Sequence, residues 1–422
     1  MKQCNEYFKT EINGVPYLLP YGQSTAGLGT VLRLNQSGSL LWDGLCRGLS
    51  ENELLALLAR EYQASENELP LLRRDMEQFF SLLAAHGILA APMPFPELSA
   101  AQASSPALSA AAMAPSTAHT FRIGTVTISC TGADALCEQY FKSFYCAPAD
   151  PDLRINIIRH APLQKHNGSI LLRTSELILC DCGDTYLLLF SGDWFLHEMH
   201  LRKDGSVADI YCKLTSPEEH ADMLFHAIRF AFLLAAQKKE LFVMHSASLL
   251  YRGKAWLFSG CSGTGKSTHT SLWQQEFDTP LLNGDLNLLG ISDGIPVVYG
   301  LPWCGTSGIY TEKSFPLGGI VFLKQAPNNR ASVLSGEASV LAILQRLISP
   351  GWTEDLARTN LGFAAQLGGM VPTFSLECTK EPEAAHVMRA AIDNLPAAKK
   401  IIRNCPSADG FPPRSAQRTS FP

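Results

Sequence analysis

The chain has 422 residues, a length that suits two or three domains. Hydrophobic residues make up 46% and charged residues 17%, a balance that builds cores and excludes a disordered chain. The net charge of −5 argues against general nucleic-acid binding. No apolar run reaches transmembrane length, and the first twenty residues, MKQCNEYFKTEINGVPYLLP, lack the apolar core of a signal peptide. The expected setting is cytoplasmic and off the membrane. The twelve cysteines read as reduced thiols: only Cys180 and Cys182 lie close together, and no His or Cys pair complements them.

Residues 1–90 read as one small unit. Val15–Leu19 and Val31–Leu34 are predicted strands. Asn35 caps a predicted helix over QSGSLLWDGLCRGL. Ser50-x-x-Glu53 and Ser65-x-x-Glu68 are capping boxes before two more helices, the last ending near Gly87. Leu69, Leu72, Met76, Phe79, Phe80 and Leu83 recur there at helical spacing. Two strands and three helices suggest a winged-helix-like fold, whose usual partner is DNA. Seven basic against ten acidic residues leave this unit at −3, which removes that partner.

YLLPYG (17–22), LRLNQSGSLLWDGL (32–45), LSENELLALLAREY (49–62) and FFSLLAAHGIL (79–89) resemble the PqqD family of leader-recognition elements in ribosomal peptide pathways. The resemblance implies that a strand edge and the adjacent helix take up the leader of a precursor peptide as an added strand. The competing reading is a packing module for the rest of the chain. Residues 91–119, rich in Ala, Ser and Pro with Glu97 the one charge, read as a flexible linker, which favours presentation over packing. A second domain is expected over 120–395, and a disordered tail over 396–422.

The strongest signal lies at 255–277. Ala255–Ser259 is a predicted buried strand, followed by Gly260-Cys-Ser262-Gly263-Thr264-Gly265-Lys266-Ser267-Thr268 and a helix with Leu272, Trp273 and Phe277 turned inward. This fits the P-loop pattern in its strand–loop–helix context. The glycines let successive backbone N–H groups face phosphate oxygens at a helix N-terminus. Lys266 reaches the β- and γ-phosphates of ATP, and the Ser267 hydroxyl ligates Mg²⁺. Downstream, Asp285 stands alone in LLNGDLNLL and reads as a metal anchor or as a turn residue. Upstream, His245 in MHSASLL is a structural histidine by its own pattern; a hairpin between its strand and 255–259 would bring it to the phosphate loop. Residues 300–313, with Lys313, line an acceptor pocket or simply connect two strands.

MHSASLL (244–250), LFSGCSGTGKST (257–268), LLNGDLNLL (281–289), VVYGLPWCGTSG (297–308) and FPLGGIVFLKQ (315–325) together resemble the HPr kinase family with its phosphoenolpyruvate-carboxykinase-like nucleotide fold. The resemblance implies that His245 lies beside the transferred phosphate, that ATP and Mg²⁺ are bound, and that the protein forms homo-oligomers. It departs from the family at one place. An Asp-Asp pair is usual after the loop, and here Gly284-Asp285-Leu286 supplies one acid. Asp285 is then the base, or it is the metal ligand with His245 as base. The expected architecture is mixed α/β, a winged-helix-like PqqD unit followed by an HPr kinase-like P-loop domain. The expected function is ATP-dependent phosphorylation of a Ser/Thr hydroxyl on a captured precursor peptide, with an ATP-binding adaptor that has lost catalysis as the alternative.

Overall fold

The computed structural model describes residues 3–4, 6–26, 30–90, 117–160, 168–190, 195–213 and 220–395. Residues 91–116 of the expected linker and the tail over 396–422 lie outside the described residues.

The first unit begins with β1 (Gln3–Cys4), β2 (Tyr7–Ile12) and β3 (Val15–Pro20). β2 was not expected from the sequence. Its middle, Lys9-Thr10-Glu11, breaks the apolar alternation, yet Asn13-Gly14 joins it to β3 with both residues at positive φ, the two-residue hairpin turn. After a short turn, α1 (Gln23–Ala26), come β4 (Leu32–Arg33), α2 (Gln36–Cys46), α3 (Glu51–Glu61), α4 (Leu69–Ala85) and β5 (Leu89–Ala90). The sheet order is β2-β3-β4, and β1 pairs with β5. The Asn35 side chain accepts from the Gly38 N–H at 2.8 Å, and both capping boxes form, the second on a 3₁₀ turn that leads into α4. Tyr7, Leu18, Leu34, Trp42, Leu83 and Ile88 close a core between the sheet and the helices.

The other face of this sheet is also buried. Phe8, Ile12, Tyr17 and Leu19 share a core with Phe242, Met244, Ile343 and Phe363 of the second unit. Complete burial of such side chains stabilises by about 1.5–3 kcal/mol each. The first unit is therefore docked, which the linker composition did not suggest. The Tyr17 hydroxyl donates to Glu337 Oε2 at 2.8 Å, and the Arg358 guanidinium lies 4.4 Å over the Phe8 ring.

The second unit starts with an antiparallel-rich sheet: β6 (His119–Ile123), β7 (Val126–Thr131), the short α5 (Asp134–Leu136), β8 (Leu153–Ile158), β9 (Ser169–Arg173), β10 (Leu177–Cys182), β11 (Thr185–Phe190), β12 (Leu196–Arg202) and β13 (Val207–Cys212). Its order is β6-β7-β8-β13-β12-β11-β10-β9. The apolar α6 (Ala221–Lys238) links this sheet to the next. Its Phe225 and Phe232 pack on Trp303, whose Nε1–H donates to the Phe225 carbonyl at 3.0 Å.

The remaining elements are β14 (Phe242–Tyr251), β15 (Lys254–Ser259), α7 (Lys266–Phe277), β16 (Leu281–Asn283), β17 (Leu286–Ser292), β18 (Ile295–Tyr299), β19 (Phe315–Gln325), β20 (Arg330–Leu334), α8 (Gly336–Leu344), α9 (Glu354–Met370), β21 (Thr373–Cys378) and α10 (Glu383–Asp393). The strand order is β15-β14-β17-β18-β19-β21-β20, and β15 also pairs in parallel with β19, so five strands close into a ring. Arg252-Gly253 and Asp293-Gly294 turn the β14–β15 and β17–β18 hairpins, again with both residues at positive φ. Leu272 and Trp273 of α7 are buried against Phe258 and Met388. Cys130, Cys137, Cys180, Cys212 and Cys378 are buried free thiols. No described helix is long and apolar enough to cross a membrane.

Candidate active site

The hairpin decides where the histidine goes. Ser246 of β14 faces Ser259, the last residue of β15, so His245 stands beside the entry to the phosphate loop. β17 pairs with β14 on the other side, with Leu286 opposite His245, and the Ser246 N–H donates to the Asp285 carbonyl at 2.9 Å. Strand β14 and the bend leading into its neighbour β17 thus bring His245 and Asp285 to one point. His245 Nε2 lies 3.1 Å from Asp285 Oδ1.

The phosphate loop runs from Gly260 to Thr268. Gly263 has φ +78° and Gly265 φ +96°, conformations that a side chain disfavours, and neither position has a neighbour crowding the place of a Cβ closer than 3.9 Å. Gly265 is the N-cap of α7, whose first amides have no intrahelical partner. Ser262, Ser267 and Thr268 are exposed, while Thr264 is half-buried and braces the loop by donating its Oγ1–H to the Cys261 carbonyl at 2.8 Å. Lys266 Nζ reaches the Gly260 carbonyl at 3.4 Å. This open cradle of amides, with an ammonium and a hydroxyl at its mouth, fits a nucleotide triphosphate and its Mg²⁺.

The electrostatics converge on Asp285. The hydrogen bond from His245 holds its carboxyl below the usual carboxylate range; burial works against this, and the charges of His245, Lys266 and Arg229 reinforce it. Burial pulls the Lys266 ammonium down, Asp285 and Cys261 oppose that, and Arg346 adds to it.

The departure Gly284-Asp285-Leu286 has a steric explanation. A Cβ on Gly284 would overlap Oγ and Cβ of Ser307. Leu286 is buried in the core beneath. Neither neighbour has room for a carboxylate facing the loop, so Asp285 is the one acid of this segment beside it. The turn at Cys304–Gly308 covers it: a Cβ on Gly305 would come within 3.0 Å of Asp285 Cβ. The 300–308 part of the segment that the sequence left undecided thus lies against the acid. Lys313 is exposed and is not among the charges acting on Asp285.

Several supporting residues escaped the sequence reading. Asn283 Oδ1 accepts from the Asp285 and Leu286 N–H groups at 2.9 and 3.1 Å, and its Nδ2–H donates to the Leu301 carbonyl. Asn287 Nδ2–H donates to the Ser246 carbonyl at 2.6 Å, and Ser248 Oγ–H donates to Asn287 Oδ1 at 2.6 Å. Ser259 Oγ–H donates to the His245 carbonyl at 2.6 Å. These buried polar groups hold the strand ends that carry His245 and Asp285. Serines and asparagines inside otherwise apolar runs are the signal that marks them. Arg229 of α6 and Arg346, just after α8, had no such signal. Arg346 accepts the His245 N–H through its carbonyl at 2.9 Å, and its Nη2–H points to Cys261 Sγ at 3.1 Å. A cleft of about 350 Å³ lies elsewhere, at the seam between the units, lined by Thr10, Ile12, Arg358 and Leu361 among others.

Residues 18–89 match the family model described as coenzyme PQQ synthesis protein D (PqqD). Among solved structures, TbiB1 in complex with the TbiA(beta) leader peptide is similar at 25% identity over 22% of this chain and 99% of that one, with a TM-score of 0.19. The HPr(Ser) kinase/phosphatase from Coxiella burnetii is similar at 10% identity over 36% of this chain and 92% of that one, with a TM-score of 0.22. No curated protein matches the chain. The chain thus has a PqqD-like N-terminal unit in a mixed α/β architecture.

Proposed function

We propose that the chain is an ATP-dependent kinase that phosphorylates a serine or threonine hydroxyl of a ribosomally made precursor peptide. The observation that carries this is the meeting of the His245–Asp285 pair with Lys266 at the mouth of the phosphate loop. The loop amides from Gly260 to Thr268 hold the phosphates, and Lys266 faces the β- and γ-phosphates. Ser267 and the Asp285 oxygen turned away from His245 would hold Mg²⁺. When bound, that ion neutralises charge on the β- and γ-phosphate oxygens. The acceptor oxygen bonds to the γ-phosphorus as the bond to the β,γ-bridging oxygen breaks, and ADP leaves. His245 takes the hydroxyl proton on the ring nitrogen not facing Asp285, and Asp285 compensates the imidazolium across 3.1 Å.

Leader capture belongs to the PqqD-like unit. β2 has its outer side toward α9, where the Arg358 Nη2–H approaches the Lys9 carbonyl at 3.5 Å. β4 ends the sheet on the other side, and its outer edge is the one to which a leader strand can add. A captured leader tethers the core peptide close to the catalytic residues and raises its effective concentration.

The test is to incubate the full chain with Mg²⁺, γ-labelled ATP and candidate precursor peptides. Label on the peptide that disappears in Lys266→Ala supports the kinase. A second reading, an ATP-binding adaptor without catalysis, is favoured by the single carboxylate; tight ATP binding with no label transfer to any peptide would establish it instead.

A further inference from the structure

The strand order decides which side of the His245–Asp285 pair faces which substrate. β14 lies between β15 and β17. β15 runs into the phosphate loop, with Ser259 opposite Ser246, so a nucleotide in that loop meets His245 from this side. Asp285 leads into β17, on the other side of β14. Beyond Asp285 comes the turn that covers it. The Gly284 N–H donates to the Ile309 carbonyl at 3.2 Å, and a Cβ on Gly305 would come within 3.0 Å of Asp285 Cβ. The order is therefore phosphate loop, His245, Asp285, then the turn over residues 304–309. The His245 and Asp285 side chains are each 32% exposed, so the pair is open to solvent between these two walls.

Tyr310 follows Ile309 directly and so stands on the wall away from the phosphate loop. Its ring stacks on Phe144, with centroids 6.2 Å apart and planes 22° from parallel, and its hydroxyl lies 3.5 Å from Ser143 Oγ. Phe144 is buried, whereas Tyr310 is 42% exposed. Packing fixes one face of the ring and leaves the rest of it open to solvent. An aromatic ring held in this way offers apolar area to a partner at little ordering cost. An extended peptide advances about 3.3 Å per residue. A peptide with its hydroxyl at His245, running away from the phosphate loop, therefore passes Tyr310 within about three residues.

We infer that the exposed ring of Tyr310 binds an aromatic side chain of the acceptor peptide near the hydroxyl that is phosphorylated, and so selects which hydroxyl is taken. This rests on the kinase reading of the same site.

Seven blocked synthetic peptides with one serine each supply the test. Six carry a single Phe, placed one to three residues before or after the serine, and the seventh has Asn instead. Binding to the full chain with ADP and Mg²⁺ is measured by calorimetry, and transfer is measured from labelled ATP. The expected result is that at least one Phe peptide binds about tenfold more tightly than the Asn peptide. Tyr310→Ala removes that difference, Tyr310→Phe keeps it, and ATP affinity is unchanged in both. Four results overturn the inference: a preference that survives Tyr310→Ala, a preference lost equally in Tyr310→Phe, a loss of ATP affinity in Tyr310→Ala that marks a nucleobase on the ring, or no preference in the native chain (including no binding of any probe). Tyr310-dependent binding without transfer overturns the kinase reading and leaves this inference standing; transfer without an aromatic preference does the reverse.

Discussion

Asp285 accepts a hydrogen bond from His245 across 3.1 Å; His245 lies in β14, and Asp285 in the bend that leads into β17, the neighbouring strand. This pair adds a carboxylate and an imidazole to the side of the glycine-rich loop. Replacing His245 with glycine should lower kcat about 10²–10⁴-fold, the usual contribution of a general base, with ATP affinity retained. Added imidazole should restore part of the rate in a pH-dependent way. Single-turnover transfer from labelled ATP is the measurement.

Asp285 also makes a stability prediction. Its folded carboxyl is held below the ordinary aspartate value, chiefly by the His245 hydrogen bond. A depressed carboxyl contributes stability above its unfolded pKa of about 3.9 and loses it as pH falls through the folded value. Asp285→Asn should therefore be less stable than the native chain at pH 7, and the gap should close below about pH 4. Urea unfolding at the two pH values checks this.

His269 lies buried on α7 directly behind the loop. Burial brings its imidazole down to about 4, and the Trp273 Nε1–H donates to its Nε2 at 3.3 Å. The unfolded chain takes up this proton near pH 6.5 and the folded chain does not, so stability falls as pH drops from about 6.5 toward 4. Between pH 7.5 and pH 5 the loss should be about 2 kcal/mol. His269→Gln keeps an acceptor for Trp273 and should flatten this slope in pH-dependent urea melts.

Gly284→Asp would restore the paired acids on paper. The overlap with Ser307 argues that it will instead lower stability by about 1–3 kcal/mol without raising the rate of transfer. Thermal melting and labelled transfer read the two effects separately. A faster enzyme would refute the steric account.

At the seam, Glu337 accepts from Tyr17 and stands 3.8 Å from Arg33 Nη1 on β4. Glu337→Ala removes both and should weaken the docking of the first unit by about 1 kcal/mol. Limited proteolysis should then cut the chain faster than in the native protein, while melting of the isolated nucleotide chemistry, read as ATP affinity, stays unchanged.

The strand–loop–helix around Gly260–Thr268 was legible because consecutive residues build it: its turn glycines and the start of α7 are set by one short stretch. Helix caps at Asn35, Ser50 and Ser65 were legible for the same local reason. The role of β2 was not, since Phe8 and Ile12 also find partners on α8, α9 and β14, outside their own unit. The Asn13-Gly14 turn was the signal that would have found the strand. The meeting of His245 with Asp285, the exclusion of a second acid at Gly284, and the approach of Arg346 to Cys261 were decided only when the strand ring closed. Local sequence determines turns, caps and a loop, because those forces act over a few residues. Sheet pairing and packing alone determine which distant charges face one another.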